Sequence, residues 1–452
     1  MSSEIVIVGG GIAGIMTAYF LLTQTNKQVY LIEAGKIAHG ATGHNAGQIV
    51  SGFEKGFNNL VRSYGLGLAT RAQEEVLMAW DLLQEIQAKL KLQTPIHIFT
   101  GYSGFTEKED LLEHLENRYW LQKTGLNIQS VLISSDYPGL KTLPKRFKKL
   151  YALAPKGSIL NLLQTNNEAY FAASLSKAGT TNSAHLTEEI AHYLSQNYPD
   201  RFQIFEKNPA KTIKLYKGHA EIHTTQGVQL TAKRVILCTN GFAKFTIENI
   251  IGEEVDTSIH NSIEGVVGYM SGFYENLKAN PTAISYHGAR ELMGENKAEI
   301  PPYFYLTRRP TQTKNQNLVC LGGPEYLMAD SRHYDRETHL FPKDAETGMD
   351  KFLKEHYAYA PHQIDYKFFW HGLMGYTPSG IRCVGPEPKN SVLMYNLGCN
   401  GVGILSSIAG AKRIEKYINK VYLRTSLFDP GYAIRKKQKT HLQRRVLVEK
   451  GN

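Results

Sequence analysis

Six residues near the N-terminus, Gly9-Gly10-Gly11-Ile12-Ala13-Gly14, match G-x-G-x-x-G, and an acid, Glu33, follows 19 residues after Gly14. That spacing suits a dinucleotide. Gly9 allows a tight turn, Gly11 lets the main chain approach a pyrophosphate, Gly14 lets a helix lie close on a strand, and the acid accepts both ribose hydroxyls. The pyrophosphate charge then meets free amides and the positive end of a helix dipole. An acid at Glu33 repels a 2′-phosphate, which argues against NADP. These duties need flanking elements, and the chain supplies them. Ile5 to Val8 is an unbroken apolar run, the pattern of a strand covered on both faces. Ile15, Met16, Ala18, Tyr19, Leu21 and Leu22 have helical spacing, and Val29 to Ile32 reads as a second strand.

A second glycine-rich stretch runs from 35 to 56 and contains Gly40-Ala41-Thr42-Gly43-His44-Asn45-Ala46-Gly47-Gln48. Its small side chains let main-chain amides lie against something flat and bulky. Near the other end, Trp370-His371-Gly372-Leu373 leads through Thr377-Pro378-Ser379-Gly380 and Val384-Gly385 to Gly398-Cys399-Asn400-Gly401-Val402-Gly403. A helix is expected next, with Ile404, Leu405, Ile408, Ala411, Ile414, Ile418 and Val421 on its apolar face. A helix N-terminus there stabilises negative charge.

These segments together resemble the FAD-dependent D-amino acid oxidase superfamily, the group of glycine oxidase, sarcosine oxidase and D-amino acid dehydrogenase. The resemblance implies an α/β fold, with a discontinuous Rossmann-type FAD-binding domain (1–92, 155–262 and 366–425) and an α+β substrate domain with an antiparallel sheet (93–154 and 263–365). Residues 161–200 are expected to be an insertion with two helix-like stretches, and 426–452 a basic tail. The cofactor residues it implies are Gly9, Gly11, Ile12, Ala13, Gly14, Glu33, Ala34, Gly40, Ala41, Thr42, His44, Asn45, Ala46, Gly47, Gln48, Ile49, Ala210, Thr239, Gly241, Gly375, Gly398, Asn400, Gly401, Val402, Gly403 and Ile404. FAD is expected to be held non-covalently, with a bond from His44 to the flavin methyl as the alternative.

In that family the reaction is oxidation of a C–N bond, with hydride passing from the substrate carbon to flavin N5. No separate domain for NAD(P)H is visible, so an amine or amino acid is the expected reductant and oxygen or a quinone the expected acceptor. Tyr269, Tyr305, Arg308 and His371 are the candidate catalytic residues, with Tyr303 and Arg309 beside them. An arginine forms a two-pronged bond to a carboxylate, and a tyrosine offers wall and hydroxyl. Met374-Gly375-Tyr376 stands where amino acid oxidases often carry an arginine, which shifts weight toward a secondary amine or polyamine derivative. His287 is a candidate for an entrance lid.

The 452 residues are 42% hydrophobic and 20% charged, too apolar for a disordered chain and long enough for two domains. The four cysteines lie far apart, with no metal-ligand spacing, so reduced thiols, no metal and a cytoplasmic setting are expected. No segment reads as a signal peptide or a membrane span. The net charge is +10, of which +6 falls in residues 431–452. A solvated tail is the plain reading, and peripheral contact with the inner face of an anionic membrane is the alternative. A nucleic-acid partner is disfavoured. A tRNA-modifying flavin module and a non-catalytic flavin-loaded binding protein are the rival functions.

Overall fold

A computed structural model describes residues 1–126, 130–257, 262–287, 304–328, 330–433 and 447–448. The chain forms two sheets. In the first, the strands Thr246–Asn249, Ala210–Leu215, Ala220–Thr224, Gln229–Leu237, Ser2–Val8, Val29–Ile32 and Phe202–Phe205 lie side by side in that order. Leu393–Leu397 joins it parallel to the end of Gln229–Leu237, and Cys383–Pro386 pairs with Leu393–Leu397. Ser2–Val8 runs parallel to both of its neighbours, as a covered strand should. Its side chains divide by alternation: Ile5 and Ile7 pack with the helices, while Val6 and Val8 pack with the Ala210–Leu215 and Ala220–Thr224 layer. The helix Ile12–Gln24 is buried from Ile12 to Leu22. It packs against Gly403–Ile418, so helices from opposite ends of the sequence share one core. That second helix stops at Ile418; Val421, expected on its apolar face, is half exposed beyond it.

The second sheet has the order Tyr366–Tyr376, Glu264–Glu275, Asn317–Leu327, Phe304–Pro310, Thr282–His287, Ile96–Phe105, Ala172–Thr181, Val131–Ser134, Tyr151–Ala154. Its pairings are antiparallel except where Ile96–Phe105 meets Thr282–His287, where Val131–Ser134 meets Tyr151–Ala154 and where the two-residue strand Leu447–Val448 joins Asn317–Leu327. Two expected boundaries need correction. Residues 172–181 and 366–376, expected in the dinucleotide domain, are strands of this second sheet, hydrogen-bonded in register to Ile96–Phe105 and Glu264–Glu275. The stretch around 179–183 is accordingly the end of a strand followed by the helix Ser183–Asn197, not two helices. The helix Lys343–His356 covers one face with Met349, Phe352 and Leu353. The other face lies toward the first sheet, with Met270, Cys320, Tyr305 and Trp370 against Ala46. Tyr303 and residues 434–446 and 449–452 of the basic tail lie outside the described residues, while Leu427 and Phe428 at its start are buried in the core and not solvated.

Candidate active site

The N-terminal glycine loop has the shape its sequence requires. A Cβ on Gly14 would lie 1.9 Å from the Gly9 carbonyl oxygen, so only glycine lets the helix start this close to the strand. Gly11 caps the helix without a side-chain bond, and no acid stands in the first turn, so the positive helix end is left for an anion. Thr42 Oγ1 accepts from the Ile12 amide at 3.0 Å and ties the second glycine stretch to the first. Glu33 accepts from the Gly10 amide at 2.7 Å and the Gly35 amide at 2.8 Å, which fixes its carboxylate at the mouth of the loop. Burial pushes the Glu33 carboxyl above its usual range, against the pull of those two amides. Ala34 beside it is exposed, and Ala210 is buried at the start of its strand.

The 40–48 segment is folded by its own polar groups. Asn45 donates to the Ala41 and Thr42 carbonyls and accepts from the Gly47 amide and Ser183 Oγ. Gly47 has φ +73°, and a Cβ there would stand 2.0 Å from the Thr181 carbonyl oxygen. His44 Nδ1 donates to the Gly40 carbonyl at 2.9 Å, leaving Nε2 with the lone pair, and burial holds its pKa below the ordinary histidine value. Gln48–Val50 is a short strand pairing with Ala172–Thr181. Ile49 is fully buried in the helical core, so its side chain is not available to a cofactor, a correction explained by the inward half of the strand alternation.

The C-terminal glycines meet this loop. Gly372 lies over His44, with its Cβ position 3.0 Å from both the His44 carbonyl oxygen and Cβ. Gly401 lies beside Glu54, 3.5 Å from Oε2 by the same measure. Asn240, at the turn with Thr239 and Gly241, accepts from the Gly375 amide at 3.3 Å and the Cys399 amide at 3.0 Å. Asn400 accepts from the Thr377 amide at 2.8 Å, and its own amide donates to the Gly375 carbonyl at 3.0 Å. Gly398, Gly401, Val402 and Gly403 thus open the Gly403–Ile418 helix at the same place where three chain segments are knotted together, and Val402 caps that helix without a side-chain bond. Ile404 points into the core behind it. The sequence gives no advance notice of Asn240: an asparagine after a strand is an ordinary turn residue, and its two amide partners lie 135 and 159 positions away.

Three of the four candidate catalytic residues lie on the face turned away from the 40–48 loop. Cross-strand partners share a face, and Met270, paired with Trp370, is in the cluster with Ala46. Tyr269 and His371, paired with each other, lie on the opposite face with the Lys343–His356 helix core. His371 bonds Tyr334 Oη through Nδ1 at 2.9 Å and the His339 carbonyl through Nε2 at 3.0 Å, and Tyr269 Oη bonds His339 Nε2 at 2.6 Å. Arg308 is 2% exposed and its guanidinium is taken up by Tyr357 Oη at 2.9 Å, Glu275 at 3.4 Å and the Asn280 carbonyl at 3.1 Å. A one-residue choice in a period-2 element turns these three away from the 40–48 loop. Tyr305 and Arg309 take the other phase. Arg309 donates to the carbonyls of Ala46 (3.2 Å) and Thr181 (3.1 Å) and holds the 40–48 loop against the sheet. Tyr305 Oη donates to Met270 Sδ at 3.1 Å, and burial keeps its phenol protonated far above the usual range. Farther along that face, Tyr376 Oη donates to Glu325 Oε2 at 3.1 Å, and the Gly401 Cβ position is 2.9 Å from the same hydroxyl. Glu325 escapes sequence reading because a bulge-like shift beside Gly268 changes the alternation. His287 stacks on Phe105 at 5.3 Å.

A family model described as "DAO: FAD dependent oxidoreductase" matches residues 4–416. The chain belongs to this family of FAD-dependent oxidoreductases. Its loops fit FAD: two uncapped helix N-termini and a small-residue segment converge on one place, and the Glu33 carboxylate sits at its edge. Among curated proteins it is 25% identical over 290 residues to the "Putative Rieske 2Fe-2S iron-sulfur protein YhfW" of Bacillus subtilis, covering 63% of this chain and 49% of that one. It is 27% identical over 85 residues to the gamma-glutamylputrescine oxidoreductase of Escherichia coli, 19% of this chain and 20% of that one. The chain therefore spans about half or less of the curated relatives it matches. In fold it is similar to glycine oxidase from Bacillus cereus, with TM-score 0.66 and 16% identity over 97% of this chain and 100% of that one. L-proline dehydrogenase from P. horikoshii gives TM-score 0.66 and 15% identity over 95% and 97% of the two chains. No helix among the described residues is long and apolar enough to cross a membrane.

Proposed function

We propose that this flavoenzyme oxidises a C–N bond of a small amine held beneath the second sheet, with oxygen or a quinone as the final acceptor. FAD supplies the hydride acceptor when bound. The observation that carries this reading is the make-up of the face toward the 40–48 loop: Met270, Tyr305, Trp370 and Met374 are neutral, and the acid Glu325 is held by Tyr376 beside Gly401. Such a wall orients a C–H bond and excludes water without any nucleophile, which is what hydride transfer asks of a protein. The cation on that face, Arg309, is occupied with two main-chain carbonyls, and Met374 offers no charge to a carboxylate. An ammonium near Glu325 is favoured over an α-carboxylate, so a secondary amine or polyamine derivative fits better than an α-amino acid. The Escherichia coli relative, an oxidoreductase named for an amine derivative, supports the same class.

Anaerobic mixing with a panel of amines, amino acids and 2-hydroxy acids tests the proposal. Bleaching of the oxidised-flavin band by amines is the expected result. A holoenzyme that dithionite bleaches and no amine does refutes it.

A further inference from the structure

Arg382 is an arginine without an acid. It is 4% exposed, and among the described residues no carboxylate lies within ion-pair distance. Nε donates to Asn396 Oδ1 at 2.5 Å and Nη2 to the Asn396 carbonyl at 2.8 Å. The thiols around it do not neutralise it: burial raises Cys238 to about 12 and Cys383 well above its usual range, so both stay protonated. Burial depresses Arg382 itself only to about 10, which leaves it charged at neutral pH. A buried cation with neutral partners is expensive, and chains keep one where an anion is to be met.

Its place says which anion. Asn396, which holds the guanidinium, also donates through Nδ2 to Thr17 Oγ1 (3.3 Å) on the helix that opens at Gly11 and to the Ser407 carbonyl (3.2 Å) on the helix that opens at Gly403. Two residues on, the same strand runs into Gly398–Gly401. Arg382 is thus tied through Asn396 to the second turn of each helix, behind the N-terminus, where a whole charge adds to the half-charges of the two dipoles. We infer that Arg382 is a fixed internal charge that stabilises the anionic reduced flavin and sets its reduction potential. Arginine suits the task because it keeps its charge in a dry site and is held in orientation by its two-pronged grip on Asn396.

The inference needs bound FAD and no substrate, so it stands or falls apart from the amine proposal. The measurement is the midpoint potential of the holoenzyme by dye equilibration, with FAD affinity measured in parallel. Arg382→Gln, which keeps a hydrogen-bonding head and loses the charge, is expected to lower the potential by about 30–60 mV, a 10- to 100-fold change in a two-electron equilibrium. Arg382→Lys, which keeps the charge and loses the fork, is expected to stay within about 10 mV of the unsubstituted protein. Equal shifts in both variants would mean that only the grip on Asn396 matters, and loss of FAD affinity with an unchanged potential would assign the charge to the pyrophosphate; either overturns the inference. Where the glutamine variant does not fold, Arg382→Met serves as the uncharged arm. The unsubstituted enzyme supplies an independent check: with an anionic reduced flavin, one proton accompanies two electrons and the potential falls by about 30 mV per pH unit above neutrality. A slope of about 60 mV per unit refutes it.

Discussion

Replacing Arg308 by methionine separates the two faces of the second sheet. Arg308 and Glu275 are 2% and 6% exposed, and among the described residues the carboxylate keeps only Tyr357 Oη, at 2.7 Å, once the guanidinium is gone. Breaking a buried pair by removing one partner costs about 3–5 kcal/mol, because a charge is left in a poor solvent. At about 2 °C per kcal/mol for a large chain, the holoenzyme midpoint falls by roughly 6–10 °C. The double substitution Arg308→Met with Glu275→Gln removes the stranded charge and is expected to recover at least half of that loss. The rate of flavin bleaching by a good amine, measured well below the transition, stays within about twofold of the unsubstituted enzyme, since no substrate contact is lost. The assay pairs a thermal melt with stopped-flow reduction. A variant that melts normally but reduces a hundredfold more slowly would place Arg308 in the chemistry and refute the assignment of faces.

The companion changes on the other face should behave oppositely: Tyr305→Phe is expected to slow amine-driven bleaching with little change in melting, whereas Tyr269→Phe lowers the melting point and leaves bleaching alone. Gly47→Ala forces a Cβ to within 2.0 Å of the Thr181 carbonyl oxygen at a positive φ, so the purified protein should retain much less FAD, read from its visible absorbance against protein. Acid precipitation is expected to leave all yellow colour in the supernatant, and colour in the pellet that disappears in His44→Ala would establish a covalent link. Burial depresses His356 to about 4, with Tyr170 Oη on Nδ1 at 3.1 Å. The unfolded chain then binds more protons than the folded one between about pH 6.5 and 4, so stability drops as pH falls through that window by up to about 3 kcal/mol. Chemical denaturation at pH 7 and pH 4.5 measures this, and His356→Gln should flatten the dependence.

What the linear chain determined by itself was whatever depends on neighbours in sequence. The strand, glycine turn, helix and second strand of 5–32 are local: apolar runs, helical spacing and the steric demand at Gly14 act over a few residues. The glycine-rich ends were legible for the same reason, since small residues in a row mean close approach to something. Which face of a strand a residue occupies is a different kind of fact. Tyr269 and Met270, or Arg308 and Arg309, are interchangeable in composition, and only the pairing register and its shifts near Gly268 and Gly272 decide which one sees the loop. The knot at Asn240, the bond from Asn396 to Thr17 and the seat of Glu325 beside Tyr376 join positions far apart in the chain. A hydrogen bond forms wherever two groups are brought within reach, so these contacts came into being only when the sheets closed on one another.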